Sequence, residues 1–150
     1  EDPFFLREAD AAVLAELRKP ERQRAVREDR AAQQYKASLE LARRNLKRLA
    51  DAGVGIAFGT DSGPPGRFQG YFEQEELLRM LEAGLTPRQA LLAATSGAAR
   101  CLGKAGQLGS LEPGAFADFL VLKADPLAEV RATRSLEAVY VSGNRVPDKR

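Results

Sequence analysis

Hydrophobic positions along the chain fall into four textures. Val13, Leu14 and Leu17 share one face of a helix predicted over Ala11 to Arg18, with Asp10 as its cap and Pro20 as its stop. Glu21 to Arg30 is almost all charge, with Val26 its one large apolar residue, and reads as a solvated helix or a linker. From Ala31 a helical period returns: Tyr35, Leu39, Ala42, Leu46 and Leu49 recur at intervals of three and four, and Gly53 stands where a helix-terminating glycine would. Val54 to Phe58 then runs without polar interruption between glycines, the pattern of a strand buried on both faces, as in a parallel sheet.

The next stretch alternates loop and helix. Ser62 to Gly70 holds three Gly and two Pro and is predicted as an irregular loop at the strand's C-terminal end. Phe72 to Ala83 follows as a helix with Leu77, Leu78 and Leu81 inward and Gly84 closing it. Thr86-Pro87-Arg88-Gln89 is a capping box with proline at the first helical position, opening a helix through Ala94. Ser96 is expected to cap one more short turn through Leu102, closed by Gly103. After Gly106 the texture becomes β: strands are predicted over Asp118–Leu122 and Leu136–Val141, the second turning a hairpin at Gly143-Asn144. Helix, buried strand and helix make an α/β pattern, and the antiparallel tail implies a second structural unit, too small to close a sandwich by itself.

Composition narrows the functional classes. At 150 residues, 44% hydrophobic and 29% charged, the chain has the balance of a globular domain. It has no apolar run near the ~18 residues a membrane helix needs and no signal-peptide pattern at its start. A net charge of +2 gives no reason to expect a polyanionic partner, and the basic face Arg43, Arg44, Lys47 and Arg48 reads as a solvated helix surface rather than a nucleic-acid site. Cys101 is the one cysteine, which agrees with a reducing, cytoplasmic compartment. With no histidine in the chain to activate it, Cys101 is expected to be buried as a small hydrophobe. The chain begins Glu1-Asp2-Pro3 and its one methionine is Met80, so it is expected to be cut from something longer.

The chemistry centres on Asp61. The run Gly59-Thr60-Asp61-Ser62-Gly63 leaves a carboxylate just past the apolar strand, at the end where α/β folds place their chemistry. Local sequence leaves two readings open: an active-site carboxylate, or an Asp that caps a helix or stabilises the turn through its side chain.

Three ordered segments resemble the metal-dependent amidohydrolase superfamily, and within it the prolidase-like and imidazolonepropionase-like members. They are Asp51 to Gly63, similar to the family's last barrel strand and terminal aspartate; Leu81 to Leu91, continuing through Ala93-Ala94-Thr95 and Ala98-Ala99-Arg100; and Gly109 to Gly114 with Ala117 to Leu122. The resemblance implies the C-terminal portion of a (β/α)₈ barrel, its last strand and flanking helices, followed by part of a small β-sandwich. A whole barrel needs about 250 residues. The boundaries expected are 1–104 for the barrel part and 105–150 for the sandwich strands.

By the same resemblance the full enzyme hydrolyses a carbon–nitrogen bond in an amide or cyclic amide, a dipeptide-like substrate being the narrower expectation. It uses a divalent metal, zinc above others. Asp61 would be the metal contact and the proton carrier between the activated water and the leaving nitrogen. Thr60 and Ser62 are expected to orient it, and Arg67, Phe68 and Gln69 to form either the substrate rim or a solvent-exposed loop. Gln74 stands in Phe72-Glu73-Gln74-Glu75 where close relatives often carry His after the Phe-Glu pair, which puts that residue's substrate or ligand-orienting contacts in question. The partners implied are a small amide substrate and the remainder of the barrel, in the same longer chain or another, with neither nucleic acid nor membrane. One carboxylate supplies too few donors to hold a catalytic zinc, so this chain alone is expected to hold no metal and to be inactive. The alternative is a non-catalytic remnant or interaction module that keeps the fold elements without a complete site.

Overall fold

The computed structural model describes residues 3–63 and 66–148; Pro64 and Pro65 of the expected loop lie outside the described residues, as does the side chain of Leu6. Four helices come first: α1 (Pro3–Glu8), α2 (Ala11–Arg18), α3 (Pro20–Glu28) and α4 (Arg30–Asp51). Asp10 caps α2 by accepting the N–H groups of Ala12 and Val13 at 2.8 and 3.1 Å. Of the two readings of the charged stretch, the helix is what forms. Pro20 serves as the first residue of α3 as well as the stop of α2, because a proline at that position loses no helical hydrogen bond. Asp29 then caps α4.

Three helices end in the same way. After α4, Gly53 has φ 73°, the Val54 N–H reaches the Leu49 carbonyl, and the Gly53 N–H reaches that of Ala50. The same pair of bonds recurs at Gly84 after α5 (Tyr71–Glu82) and at Gly103 after α7 (Ala98–Cys101). These are Schellman motifs, which need a left-handed residue that glycine supplies without steric cost.

Val54 to Phe58 departs from expectation: it forms no strand ladder among the described residues. Ile56 and Phe58 are half-buried against the core while Gly55 and Ala57 are exposed, so burial alternates as in an extended segment with one covered face. Val54 is 49% exposed. Its covered face lies on the helical stretch that follows α6 (Pro87–Leu92), where the Phe58 N–H donates to the Ala93 carbonyl at 3.1 Å. A strand buried on both faces needs neighbouring strands, and no parallel neighbour is present among the described residues.

The helical stretch itself is continuous. Thr86 opens α6 with the expected capping box, its hydroxyl accepting the Gln89 N–H at 3.2 Å and its own N–H donating to Gln89 Oε1 at 2.8 Å. The chain then passes through a π-helical turn at Ala93–Gly97 into α7. Ser96 therefore caps nothing, because the backbone at Leu92, Ala93, Gly97 and Ala98 stays right-handed throughout. In this turn the Ala93 carbonyl accepts both the Ala98 N–H and the Phe58 N–H, so the widened helix is docked on the extended segment. Cys101 is exposed rather than buried, since the inward residue of α7 is Ala99.

The last forty residues carry a three-stranded antiparallel sheet, β1 (Phe119–Leu122), β2 (Leu136–Val141) and β3 (Asn144–Arg145), in that spatial order. Phe119 faces Tyr140 across β1 and β2 with rings stacked at 4.5 Å. The hairpin turns at Ser142-Gly143, with φ 50° and 77°, one residue earlier than expected; Asn144 is already paired with Val141. Two left-handed residues match the twist of the flanking strands. A 3₁₀ turn, Val130–Arg134, leads into β2 and packs on α5.

The core gathers Leu77 and Met80 of α5, Leu85, Ala90, Ala93 and Val130, with Leu46 and Ala50 of α4, Ile56 and Phe58 packed against it. It is small. The chain exposes 10896 Å², against the ~7,500 Å² typical of a folded monomer of its mass. On α4 the apolar stripe is largely bare, with Tyr35 78% exposed and Leu39 and Leu49 each 46%. Among the described residues no helix is long and apolar enough to cross a membrane.

Candidate functional site

Asp61 leaves the extended segment in a left-handed conformation, φ 53°, which non-glycine residues adopt rarely and aspartate more readily than most. Up to this point Ile56, Phe58 and Thr60 face the covered side, and Ala57, Gly59 and Asp61 the open one. The Asp61 side chain is 87% exposed, and among the described residues its carboxylate caps no helix. Its partner is Arg67 of the following loop, whose guanidinium donates to Oδ2 at 2.7 Å and lies 3.5 Å from the Asp61 carbonyl oxygen. The loop is closed on itself by the Gly63 N–H donating to the Arg67 carbonyl at 3.0 Å. Arg67 thus belongs to the Asp61 carboxylate.

Behind Asp61 lies a hydroxyl and carboxylate network. Thr60 donates its hydroxyl to Glu73 Oε1 at 2.7 Å, Ser62 Oγ lies 2.7 Å from Thr60 Oγ1, and the Ser62 N–H donates to Thr60 Oγ1 at 3.2 Å. The other Glu73 oxygen accepts the Gly70 N–H at the start of α5. Burial pushes the Glu73 carboxyl up, but hydrogen bonds from Thr60, its own backbone N–H, Ser62 and Gly70 outweigh it and hold the group below the usual glutamate range. One turn along, Glu76 is shifted the other way: burial raises it, and nearby Arg79 offsets only part.

The remaining expected residues lie apart from Asp61. Gln69 and Gln74 line a groove of about 700 Å³ with Phe4, Phe68, Tyr71 and Arg134, and Asp61 is not in its wall. Gln74 Oε1 accepts the Thr133 hydroxyl at 2.6 Å, tying α5 to the 3₁₀ turn. Arg134 repeats the tie one residue on, donating to Glu75 at 2.8 Å. The structure therefore brings Thr60, Asp61, Ser62 and Arg67 together, and gathers Gln69, Gln74 and Phe68 at a second place. Glu73 is the residue that sequence reasoning passed over. Its signal was available: a glutamate three residues after Gly70, at the third position of a helix, is placed to accept the N–H that precedes the helix.

The donor set bears on the metal that the resemblance implies. Among the described residues no group of three or more Asp, Glu, Cys or His side chains comes together. Asp61 is a single exposed carboxylate already paired with a guanidinium. The described residues by themselves do not fit a catalytic zinc, which takes three protein ligands.

Residues 8–146 match the Amidohydrolase family, and the chain belongs to that family. It is similar to an imidazolonepropionase of Geobacillus kaustophilus (strain HTA426), 41% identical over 77 residues, which are 51% of this chain and 18% of that protein. Among solved structures it is similar to phenylurea hydrolase B, with a TM-score of 0.63 and 33% identity over 68% of this chain and 26% of that one. A putative prolidase from Bifidobacterium longum is matched with a TM-score of 0.62 and 38% identity over 67% of this chain and 25% of that one. This chain thus spans about a fifth to a quarter of the length of these relatives.

Proposed function

We propose that this chain is the C-terminal portion of a hydrolase that cleaves carbon–nitrogen bonds, and that Asp61 is the catalytic carboxylate it contributes. The observation that carries the reading is the placement of Asp61: it stands past the end of an extended apolar segment, on the segment's bare face. Membership of the Amidohydrolase family supports the class. The names of the relatives, an imidazolonepropionase, a phenylurea hydrolase and a prolidase, support a carbon–nitrogen bond as the target.

In this reading residues 1–104 belong to a (β/α)₈ barrel and residues 105–150 to the strands of a small β-sandwich. The rest of the barrel comes from the same longer polypeptide or from another chain. The bare faces of Val54–Phe58 and of α4 are where it docks. A divalent metal, zinc by family resemblance, would have Asp61 as one ligand and its other ligands from the rest of the barrel, and would supply activation of the attacking water. Asp61 takes a proton from the attacking water at its carboxylate and delivers it to the leaving nitrogen as the carbon–nitrogen bond breaks. Thr60 and Ser62 sit beside it, and the exposed Asp61–Arg67 ion pair would have to open for the carboxylate to act.

One observation favours a second reading, a non-catalytic interaction module: Asp61 is neutralised by Arg67 and no donor cluster accompanies it among the described residues. One experiment decides between them. The purified chain, alone and mixed with the complementary barrel segment of the Bifidobacterium relative, is assayed for zinc content and for hydrolysis of a Xaa-Pro dipeptide, an N-acetylated amino acid and a phenylurea. The expected result is no stoichiometric zinc and no turnover alone, and turnover in the mixture that Asp61→Asn abolishes. A folded mixture without turnover, or turnover that survives Asp61→Asn, supports the module instead. One zinc per chain with turnover by the chain alone overturns the need for the rest of the barrel.

A further inference from the structure

We infer that Glu73 is the positioning residue for Asp61: by accepting the Thr60 hydroxyl and the Gly70 N–H on its two oxygens, it clamps both ends of the loop that presents the carboxylate. The inference rests on the reading of Asp61 as the functional carboxylate. The hydrogen bonds of Glu73 go to Thr60 and Gly70 rather than to Asp61, so its effect runs through Thr60.

The geometry is specific. Thr60 is the last residue of the extended segment and Gly70 immediately precedes α5. Between them the chain makes an excursion that holds Asp61, Ser62, Gly63 and Arg67. Glu73 stands on α5, whose Leu77 and Met80 are core residues, so its carboxylate is carried by a helix packed into the core. From there it holds Thr60 at 2.7 Å. Thr60 Oγ1 in turn accepts the Ser62 N–H, which belongs to the peptide unit leaving Asp61. That bond spans Asp61 and fixes the direction in which its backbone turns. Such a hold is needed, because φ 53° is a backbone conformation that a non-glycine residue adopts only at a cost.

A carboxylate suits the position better than an amide. Glu73 must accept on both oxygens, from a hydroxyl and from a backbone N–H, and a glutamine can accept on only one. The same bonds favour the charged form of Glu73 and, against the burial that opposes it, hold its carboxyl below the usual glutamate range. The clamp is therefore present above the ordinary glutamate range and is lost as pH falls through the depressed value of the folded state.

Amide hydrogen exchange in the intact chain, resolved residue by residue and corrected for intrinsic rates, tests the inference without relying on activity. Glu73→Ala is expected to speed exchange by about tenfold or more at Gly70, whose N–H loses its acceptor, and to speed it also at Ser62, whose acceptor Thr60 Oγ1 is no longer held in place, while Leu85 and Ala90 in the core keep their protection. Glu73→Gln is expected to release Gly70 and keep most of the protection at Ser62, because Oε1 still accepts from Thr60. In the parent, protection at Ser62 is expected to fall on acidification, and in Glu73→Gln to stop depending on pH. Unchanged exchange at Ser62 in Glu73→Ala overturns the inference. If that variant loses protection throughout, Glu73→Gln decides: protection at Gly70 equal to the parent's overturns it. Failure of the Asp61 reading looks different, since turnover by the completed barrel would survive Asp61→Asn while the exchange pattern stayed as described.

Discussion

Gly97 passes so close to Ile56 that a Cβ placed on it would stand 2.4 Å from the Ile56 carbonyl oxygen. The same Cβ would lie 2.9 Å from the Leu92 carbonyl. This contact, with the Phe58 N–H on the Ala93 carbonyl, seats the extended segment against the π-helical turn and so places everything after it, Thr60 and Asp61 included. Gly97 has ordinary helical dihedrals, φ −66° and ψ −49°, so what it supplies is space rather than conformational freedom.

Gly97→Ala is therefore expected to destabilise the chain. An alanine there gains about 1 kcal/mol of helix propensity, but both atoms it meets are backbone, and forcing them apart costs on the order of 1–3 kcal/mol or more. The check is a urea midpoint by circular dichroism at fixed protein concentration. A midpoint equal to or above the parent's would show that the segment yields easily.

Thr86→Ala removes the hydroxyl that accepts the Gln89 N–H and leaves that amide at the exposed end of α6. The expected loss is about 1 kcal/mol, the usual cost of losing an N-cap side chain. Thr86→Ser should recover most of it in the same measurement, and a Ser variant as weak as the Ala one would point to the methyl group instead.

Glu76 titrates high because burial disfavours its charge, with Arg79 offsetting part. A carboxyl raised in the folded state adds stability below its unfolded value and loses that contribution as pH rises through its folded value. Burial of Glu76 therefore lowers stability at neutral pH relative to acid pH. Glu76→Gln is expected to raise the urea midpoint at pH 7 and to raise it less at pH 4, where the parent is protonated too. An equal gain at both pH values would remove the electrostatic explanation.

Bare apolar surface predicts association. With Tyr35, Leu39 and Leu49 exposed along α4 and one face of Val54–Phe58 open, the isolated chain should self-associate in light scattering at micromolar concentration. Replacing Tyr35 and Leu39 by Lys and Glu should reduce the scattering mass. A monodisperse parent that melts cooperatively as a monomer would count against the docking role assigned to these faces.

Much of the local structure was legible in the sequence. The caps at Asp10 and Thr86, the three helix-ending glycines at 53, 84 and 103, and the strand Leu136–Val141 follow from interactions that span fewer than six residues, or from a period written in consecutive positions. Asp61 could be singled out for the same reason, as a carboxylate just past an apolar run. Tertiary structure decided the rest. Val54–Phe58 had the composition of a doubly buried strand, yet composition cannot supply the neighbouring strands that a ladder requires, and the segment lies instead with one face on the π-helical turn. Ser96 looked like a cap, but the helix runs through it because Gly97 admits Ile56 and the Ala93 carbonyl accepts from Phe58. Gln74, whose substrate or ligand-orienting contacts the sequence put in question, accepts the hydroxyl of Thr133, 59 residues away. Arg67 and Glu73 take their roles from where the loop folds back. A hydrogen bond across 13 residues depends on the packing of α5, and the order of residues alone does not specify it.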